Sequence, residues 1–350
     1  MGDLLIYGSY GYTGRLVARE AVDRGFEPVL AGRDADAVTA QADDLDLPAR
    51  VFDLDEAGNR LADVDAVLNC AGPFSTTAWP LVEACVDTGT HYLDITGEIG
   101  VFEKLRRRDA AATEAGVTLL PGAGFDVVPT DCLAAHLAAR LPDATGLELG
   151  FDAQGGVGPG TLRTGIQRLG RGGIVRQSGR LKEVPAGWRT RTIDFGRGRR
   201  RAVTVPWGDV STAYHTTGVP NVVVYMAAGR GLRLFFRAER LLGPALKSDA
   251  VRGGLSWLVD RTVSGPDEAA REQGFAWVWG EATNGSKTVV SRLRTPHPIT
   301  LTARAALECT SRVLDGDAPT GFQTPAGAFG SELVLDVEGV YGFKDEDDGR

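Results

Sequence analysis

The feature that most constrains this chain is a set of three glycines, Gly8, Gly11 and Gly14, lodged between the apolar run Leu4–Tyr7 and the amphipathic run Leu16–Arg24. Strand, glycine turn and helix in that order form the first βα unit of a dinucleotide-binding fold. Gly8 permits the tight turn, Gly11 lets backbone approach a pyrophosphate, and Gly14 allows the helix to pack closely on the sheet. Ser9, Tyr10, Tyr12 and Thr13 complete the loop, whose helix-terminal amides would face negative charge. The alternative is an ordinary βα turn, and the flanking strand and helix weigh against it.

Further along, short apolar runs alternate with amphipathic stretches: Pro28–Ala31, Ala49–Phe52, Ala66–Cys70, Tyr92–Ile95 and Val117–Leu120 read as strands, and Trp79–Thr88 as a helix. Such spacing predicts βαβ units, and nearly unbroken apolar strands predict a parallel sheet covered on both faces. Residues 1–141 are therefore expected to form an α/β, Rossmann-type doubly wound domain. After Leu141 the pattern lengthens. Strands are expected at Gly146–Ala153, Asn221–Ala227, Phe275–Thr283 and Ser286–Leu293, with a hairpin of Thr190–Phe195 and Arg201–Val205. Helices are expected near Thr161–Leu169, Gly231–Leu242 and Ile299–Leu314. Residues 142–350 thus read as an α+β substrate domain with a largely antiparallel sheet, the segment after about residue 320 returning to the first domain. The polar tail Lys344–Arg350 is expected to fray.

The second strand ends Ala31-Gly32-Arg33-Asp34, where an NAD-specific site usually carries an acid for the ribose 2′-hydroxyl. Arg33 comes first here and can pair with a 2′-phosphate, so NADP(H) is the expected cofactor, with NAD(H) kept open by Asp34. Asp53, after the third strand, is placed to accept from an adenine amino group or to face solvent.

Three more segments end strands on the same sheet edge: Asn69–Phe74, with Cys70, Ala71 and Gly72; Tyr92–Glu98; and Pro121–Asp126. Small residues there let backbone approach the cofactor. Asp94, Thr96, Glu98 and Asp126 are the candidates for orienting a substrate or supplying a proton, with Asp94, Glu98 and Asp126 as the candidate catalytic acids. Asp126 also lies near the helix start marked by Pro129, where an Asp is often only a cap. No Tyr is followed four residues later by Lys, and there is neither a GxSxG elbow nor an HExxH helix.

A net charge of −8 argues against nucleic-acid binding. No apolar run is long enough to span a bilayer and the N-terminus reads straight into a strand, so a cytoplasmic location is expected. The four cysteines are scattered, without metal-ligand spacing, and no metal is expected. In the second half, Gln154–Thr161 reads as a second anion site or, preferably, a glycine loop with Thr161 as cap. Arg230, Arg233, Arg237 and Arg240 recur at helical spacing beside Leu234, Phe235, Leu241 and Leu242. A surface helix with one buried face is the favoured reading there, and peripheral membrane contact the less favoured one. Arg197–Arg201 reads as a solvated turn, and His215 and His297 as loop residues without a partner.

On Gly8–Val17, Gly32-Arg33, Leu68–Phe74, Tyr92–Glu98 and Pro121–Asp131, with Gly160-Thr161, Thr300–Leu314 and Gly321–Pro325, the chain resembles the saccharopine dehydrogenase-like oxidoreductases, including the branch related to trans-acting enoyl reductases. The resemblance implies an NADP-binding Rossmann domain and a mixed substrate domain. An NADP(H)-dependent oxidoreductase is then expected, transferring hydride to a C=C, C=N or C=O bond of a small-molecule or lipid-like substrate. The alternatives are a saccharopine-type amino-acid imine dehydrogenase, or a non-catalytic dinucleotide-binding protein docking on a membrane or partner. A homodimer is compatible with all three.

Overall fold

The computed structural model describes residues 2–155, 159–246, 248–262 and 265–347. Its strands, in chain order, are β1 (Leu4–Tyr7), β2 (Val29–Gly32), β3 (Ala49–Val51), β4 (Ala66–Asn69), β5 (His91–Asp94), β6 (Thr118–Leu120), β7 (Gly146–Ala153), β8 (Gly173–Gln177), β9 (Arg180–Val184), β10 (Thr190–Asp194), β11 (Arg199–Thr204), β12 (Asn221–Ala227), β13 (Phe275–Thr283), β14 (Thr288–Pro296), β15 (Gly321–Phe322) and β16 (Tyr341–Asp347). The chain divides into two compact units, Met1–Val128 with Ile299–Glu338, and Pro129–Pro298 with Gly339–Arg350.

The first unit holds a seven-stranded sheet in the order β15-β6-β5-β4-β1-β2-β3, parallel throughout. Every residue of β1 and β4 is buried, as expected of parallel strands covered on both faces. Leu5, Val67, Leu81, Tyr92 and Leu119 share one core cluster there. The helix Tyr12–Asp23 buries Gly14, Val17, Ala18 and Ala21, the i, i+3, i+4, i+7 stripe that a sheet face requires. Its outer side meets the helix Pro298–Leu314 through Arg24 with Glu308, at 3.6 Å, and Arg304 with Glu20, at 3.9 Å. β15 closes the sheet beside β6, its Phe322 amide donating to Asp109 at 2.8 Å.

The second unit is built on the path β10-β11-β12-β7-β13-β14-β16, with the β8–β9 hairpin attached to β12. Only β12 and β7 run parallel. The helix Val128–Arg140 lays Leu133 and Leu137 over Gly280, where a β-carbon would come within 2.6 Å of Leu137. Val175, Ile193, Phe195, Tyr225 and Trp279 form a separate cluster. A parallel Rossmann-type sheet and a mostly antiparallel one are thus both present, the fold class the sequence predicts.

Several local readings need correcting. β14 starts at Thr288, not Ser286, because Asn284 Oδ1 accepts from the Ser286 and Lys287 amides and holds Asn284–Lys287 as the turn. The tail does not fray through residue 347: β16 pairs with β14, and Asp345 lies 2.9 Å from His136 Nε2 and 3.2 Å from Arg140. His215 sits on the helix Asp209–Thr217, and His297 is buried against the backbone of Gly155. Arg197 is not a solvated turn residue; it holds Asp152 at 2.8 Å and lies over the Trp277 ring. Of the glycine loop Gln154–Thr161, residues 156–158 and the side chain of Thr161 lie outside the described residues, as do the side chains of Arg237, Arg240, Leu241 and Leu242. Among the described residues no helix is long and apolar enough to cross a membrane.

Candidate functional site

Of the βα turns on the carboxyl edge of the parallel sheet, those after β1 and after its two neighbours β2 and β4 treat their helix starts differently. Ahead of the helix Ala35–Leu45, the Asp34 carboxylate accepts from the Ala37 amide at 3.1 Å. Ahead of Phe74–Thr88, the cap is supplied from a distance: Glu98 accepts from the Phe74 and Ser75 amides at 2.9 and 3.2 Å. The helix Tyr12–Asp23 has Gly11 as its N-cap, no side-chain cap and no acid in its first turn. Beside it Ser9 is fully buried with its hydroxyl unpartnered among the described residues. Two helix starts are therefore neutralised from within, while the third keeps its positive dipole end beside an orphaned hydroxyl, an arrangement able to take an anion.

Glycine is required at this turn by geometry. Gly8 has a φ of +77° and an added β-carbon would meet Ala71 at 2.7 Å; one at Gly14 would lie 2.3 Å from the Gly8 carbonyl oxygen. The turn is pressed between its own helix and the loop after β4, which brings Cys70, Ala71 and Gly72 up to it. Burial pushes the Cys70 thiol up to about 12, with Asp94 adding to the effect, so it stays a neutral wall.

At the other end, the Tyr10 ring covers Gly32, whose added β-carbon would meet it at 2.5 Å. Arg33 and Asp53 flank the Tyr7 hydroxyl, which donates to the Phe52 carbonyl at 3.4 Å. Arg33 is exposed and, among the described residues, its guanidinium makes no hydrogen bond or ion pair; the Asp53 side chain caps nothing. With Asp34 spent on its cap, Arg33 is the charged group at the end of β2 that is uncommitted among the described residues. Tyr12 and Thr13, in the first turn of the glycine-led helix, are half-buried.

A buried chain of polar groups ties the carboxyl ends of β4, β5 and β6 together. Thr77 donates to the Ala71 carbonyl at 2.6 Å and accepts from Asn69 Nδ2 at 3.2 Å, while Asn69 Oδ1 accepts from the Ala71 amide. Asn69 also donates to Tyr92 Oη at 3.1 Å, and Tyr92 donates to Asp94 at 2.8 Å. The other Asp94 oxygen accepts from the Thr96 and Gly122 amides, each at 2.9 Å. Burial pushes Asp94 up to about 6, against the pull of those three donors. Thr302 completes the frame, accepting from the Phe125 amide at 3.1 Å.

Of the three candidate acids, two are committed: Asp94 is enclosed by its donors and Glu98 caps a helix. Asp126 is not. Its carboxylate lies against Gly97, where a β-carbon would come within 2.6 Å of it, and makes no hydrogen bond or ion pair among the described residues. Burial pushes it up to about 7. Sequence reasoning did not single out Asn69, Thr77, Tyr92 or Thr302. The signal was available for Asn69, a polar interruption in a strand otherwise apolar enough to be wholly buried.

Residues 4–120 match the family model described as the saccharopine dehydrogenase NADP binding domain. This stretch is thus similar to a saccharopine dehydrogenase NADP-binding domain, as the resemblance implied. A probable mitochondrial saccharopine dehydrogenase-like oxidoreductase of Arabidopsis thaliana is 31% identical over 149 residues, 37% of this chain and 33% of that protein. A trans-acting enoyl reductase of Mycobacterium leprae is 33% identical over 187 residues, 49% of this chain and 43% of that protein. The chain therefore spans less than half the length of these curated relatives. Apo saccharopine dehydrogenase (L-Glu forming) of Saccharomyces cerevisiae shares the fold over the whole of both chains, with a TM-score of 0.68 at 14% identity.

Proposed function

We propose that this chain is an NADP(H)-dependent oxidoreductase that reduces a C=C, C=N or C=O bond. The observation that carries the reading is the helix start at Gly11, left uncapped beside the orphaned Ser9 hydroxyl while its two neighbours are closed by Asp34 and Glu98. In this reading Gly8, Ser9, Tyr10, Gly11, Tyr12, Thr13 and Gly14 hold the pyrophosphate, Arg33 the 2′-phosphate and Asp53 the adenine. Cys70, Ala71 and Gly72 wall the path toward the nicotinamide. A reduced nicotinamide, when bound, supplies the hydride. Asp126 holds the proton that the reduced product needs and can donate it near neutral pH. Asp94 and Glu98 act as positioning residues, one fixing the loops after β5 and β6, the other the start of Phe74–Thr88.

The relatives carry enoyl reductase and saccharopine dehydrogenase-like names, which supports a small or lipid-like substrate and puts enoyl thioesters and amino-acid imines first in a substrate screen. Titration with NADPH and NADH, followed by tryptophan quenching, tests the cofactor assignment. Arg33→Ala is expected to weaken NADPH by roughly 10- to 100-fold, the scale of one charge-assisted pair, and to leave NADH nearly unchanged. Equal losses for both would remove Arg33 from this role. Tight binding with no turnover on any unsaturated substrate would favour the non-catalytic reading.

A further inference from the structure

We propose that the second unit carries a docking surface for anionic phospholipid bilayers, in which an arginine cleft takes a lipid phosphodiester while neighbouring apolar side chains enter the interface. The cleft, of about 400 Å3, is lined by Arg199, Arg200, Arg201, Arg230, Arg233 and Asp152, with the small residues 227–229. Five guanidiniums face one carboxylate, and Asp152 is already held by Arg197 at 2.8 Å, with Arg200 at 3.9 Å. Arg233 is pinned by the Ala228 carbonyl at 2.7 Å, next to the amino end of the helix Arg230–Leu246. Arg199, Arg201 and Arg230 make no ion pair or side-chain hydrogen bond among the described residues. In a chain of net charge −8 such a cluster is a local reversal of sign, and its mutual repulsion is relieved by a bound anion.

A free phosphate would account for the cleft and nothing more. What singles out a bilayer is the apolar surface that the helix carrying Arg230 and Arg233, and the helix after it, expose. Leu234, one turn on from Arg230 and on the same helix face, is 67% exposed, and Phe235 is 43% exposed. The helix Asp249–Thr262 exposes Trp257 and Leu258 by 56% and 49%. These four are half of the eight exposed large hydrophobics among the described residues. The first helix is not simply facing the wrong way. The side opposite Leu234 is engaged, with Phe236 against Gly187 and Glu239 accepting from the Gly170 amide at 3.0 Å. Arg261 lies 4.2 Å from the Trp257 ring, a pairing suited to the level of lipid headgroups, where an indole and a guanidinium are both solvated. Basic groups with outward Leu, Phe and Trp on neighbouring helices are the composition of an interfacial anchor. The chain's overall negative charge confines the attraction to this patch and makes it salt-dependent.

The proposal does not rest on the reductase reading, and its test uses the full chain without cofactor. Flotation is run with neutral phosphatidylcholine vesicles and with vesicles containing phosphatidylglycerol, at low and high salt. Binding only to the anionic vesicles, lost at high salt, is expected, together with a blue shift of emission that Trp257→Phe abolishes. The variant R199Q/R201Q/R230Q is expected to lose roughly 100-fold in affinity, at ~1 kcal/mol for each basic side chain near the surface. L234S/F235S is expected to lose about tenfold, and circular dichroism melts check that both variants fold. Absence of vesicle binding at low salt, equal binding to neutral vesicles, or arginine variants that bind as the parent does would each overturn the proposal. So would calorimetric binding of inorganic phosphate or pyrophosphate in the cleft without vesicle binding, which would assign it to a soluble phosphate.

Discussion

Asp126 and Asp94 lie at neighbouring strand ends, share burial as the main cause of a raised pKa, and differ in what their oxygens touch. Asp94 spends both on three donors; Asp126 spends neither, and stands at about 7 against about 6. A carboxyl whose folded pKa exceeds its unfolded value stabilises the fold most below the unfolded pKa, and that contribution is lost as pH rises through the folded value. Both groups therefore predict declining stability from about pH 4 to about pH 7. For Asp126 the same ionisation removes the proposed proton donor, so the reduction rate of the parent enzyme should fall as pH rises through about 7. Asp126→Asn should be slower by about 10²–10⁴-fold, the usual range for a general acid, and its rate should lose that pH dependence. A pH–rate profile of both proteins checks this; an unaltered profile in the variant would assign the proton to another group.

At the scale of elements, the loops after β4, β5 and β6 hold their shape through one buried polar chain. Tyr92→Phe keeps the ring and deletes the hydroxyl at its centre, leaving Asp94 one donor short and Asn69 one acceptor short. A loss of ~1–3 kcal/mol is expected, read as a lower urea midpoint at unchanged slope. Much of the architecture was legible beforehand, because β1 and β4 are apolar enough to announce a covered parallel sheet and Gly8, Gly11 and Gly14 locate its first turn. The β8–β9 hairpin was not. None of Arg180–Glu183 is buried, and the strand conformation there comes from pairing with β8 across the two-residue turn at Ser178-Gly179. β16 is polar for a similar reason, being an edge strand held by Arg292, His136 and Arg140 from elsewhere in the unit. The commitments of Glu98 and Asp94 were equally invisible, since a carboxylate that caps a helix more than twenty residues away leaves no local pattern in the sequence.

Across the whole molecule, the second sheet depends on its last strand. β16 covers the outer edge of β14 and brings Asp345 to His136, Arg140 and Ser291. Deleting residues 341–350 should cost roughly 2 kcal/mol or more, a fall in melting temperature of about 4–8 °C for a unit of this size, and should promote aggregation through the bared edge. Differential scanning fluorimetry and light scattering report the two effects separately. An unchanged melt would mean that β14 needs no neighbour.

β15 joins the parallel sheet only after the chain has built nearly all of the second unit: Thr118 donates to the carbonyl of Pro319, 201 residues later. On a ribosome adding ~5–20 residues per second, that separation is a delay of roughly 10–40 s. Throughout it the nascent β6 has one bare flank, while the antiparallel sheet can assemble all but its final strand. The glycine turn is thus made within the first moments of synthesis, yet the sheet beneath it closes only near the end. A holding chaperone would have the most to do in that interval, and a stalled or prematurely ended message would release a chain with an open parallel edge.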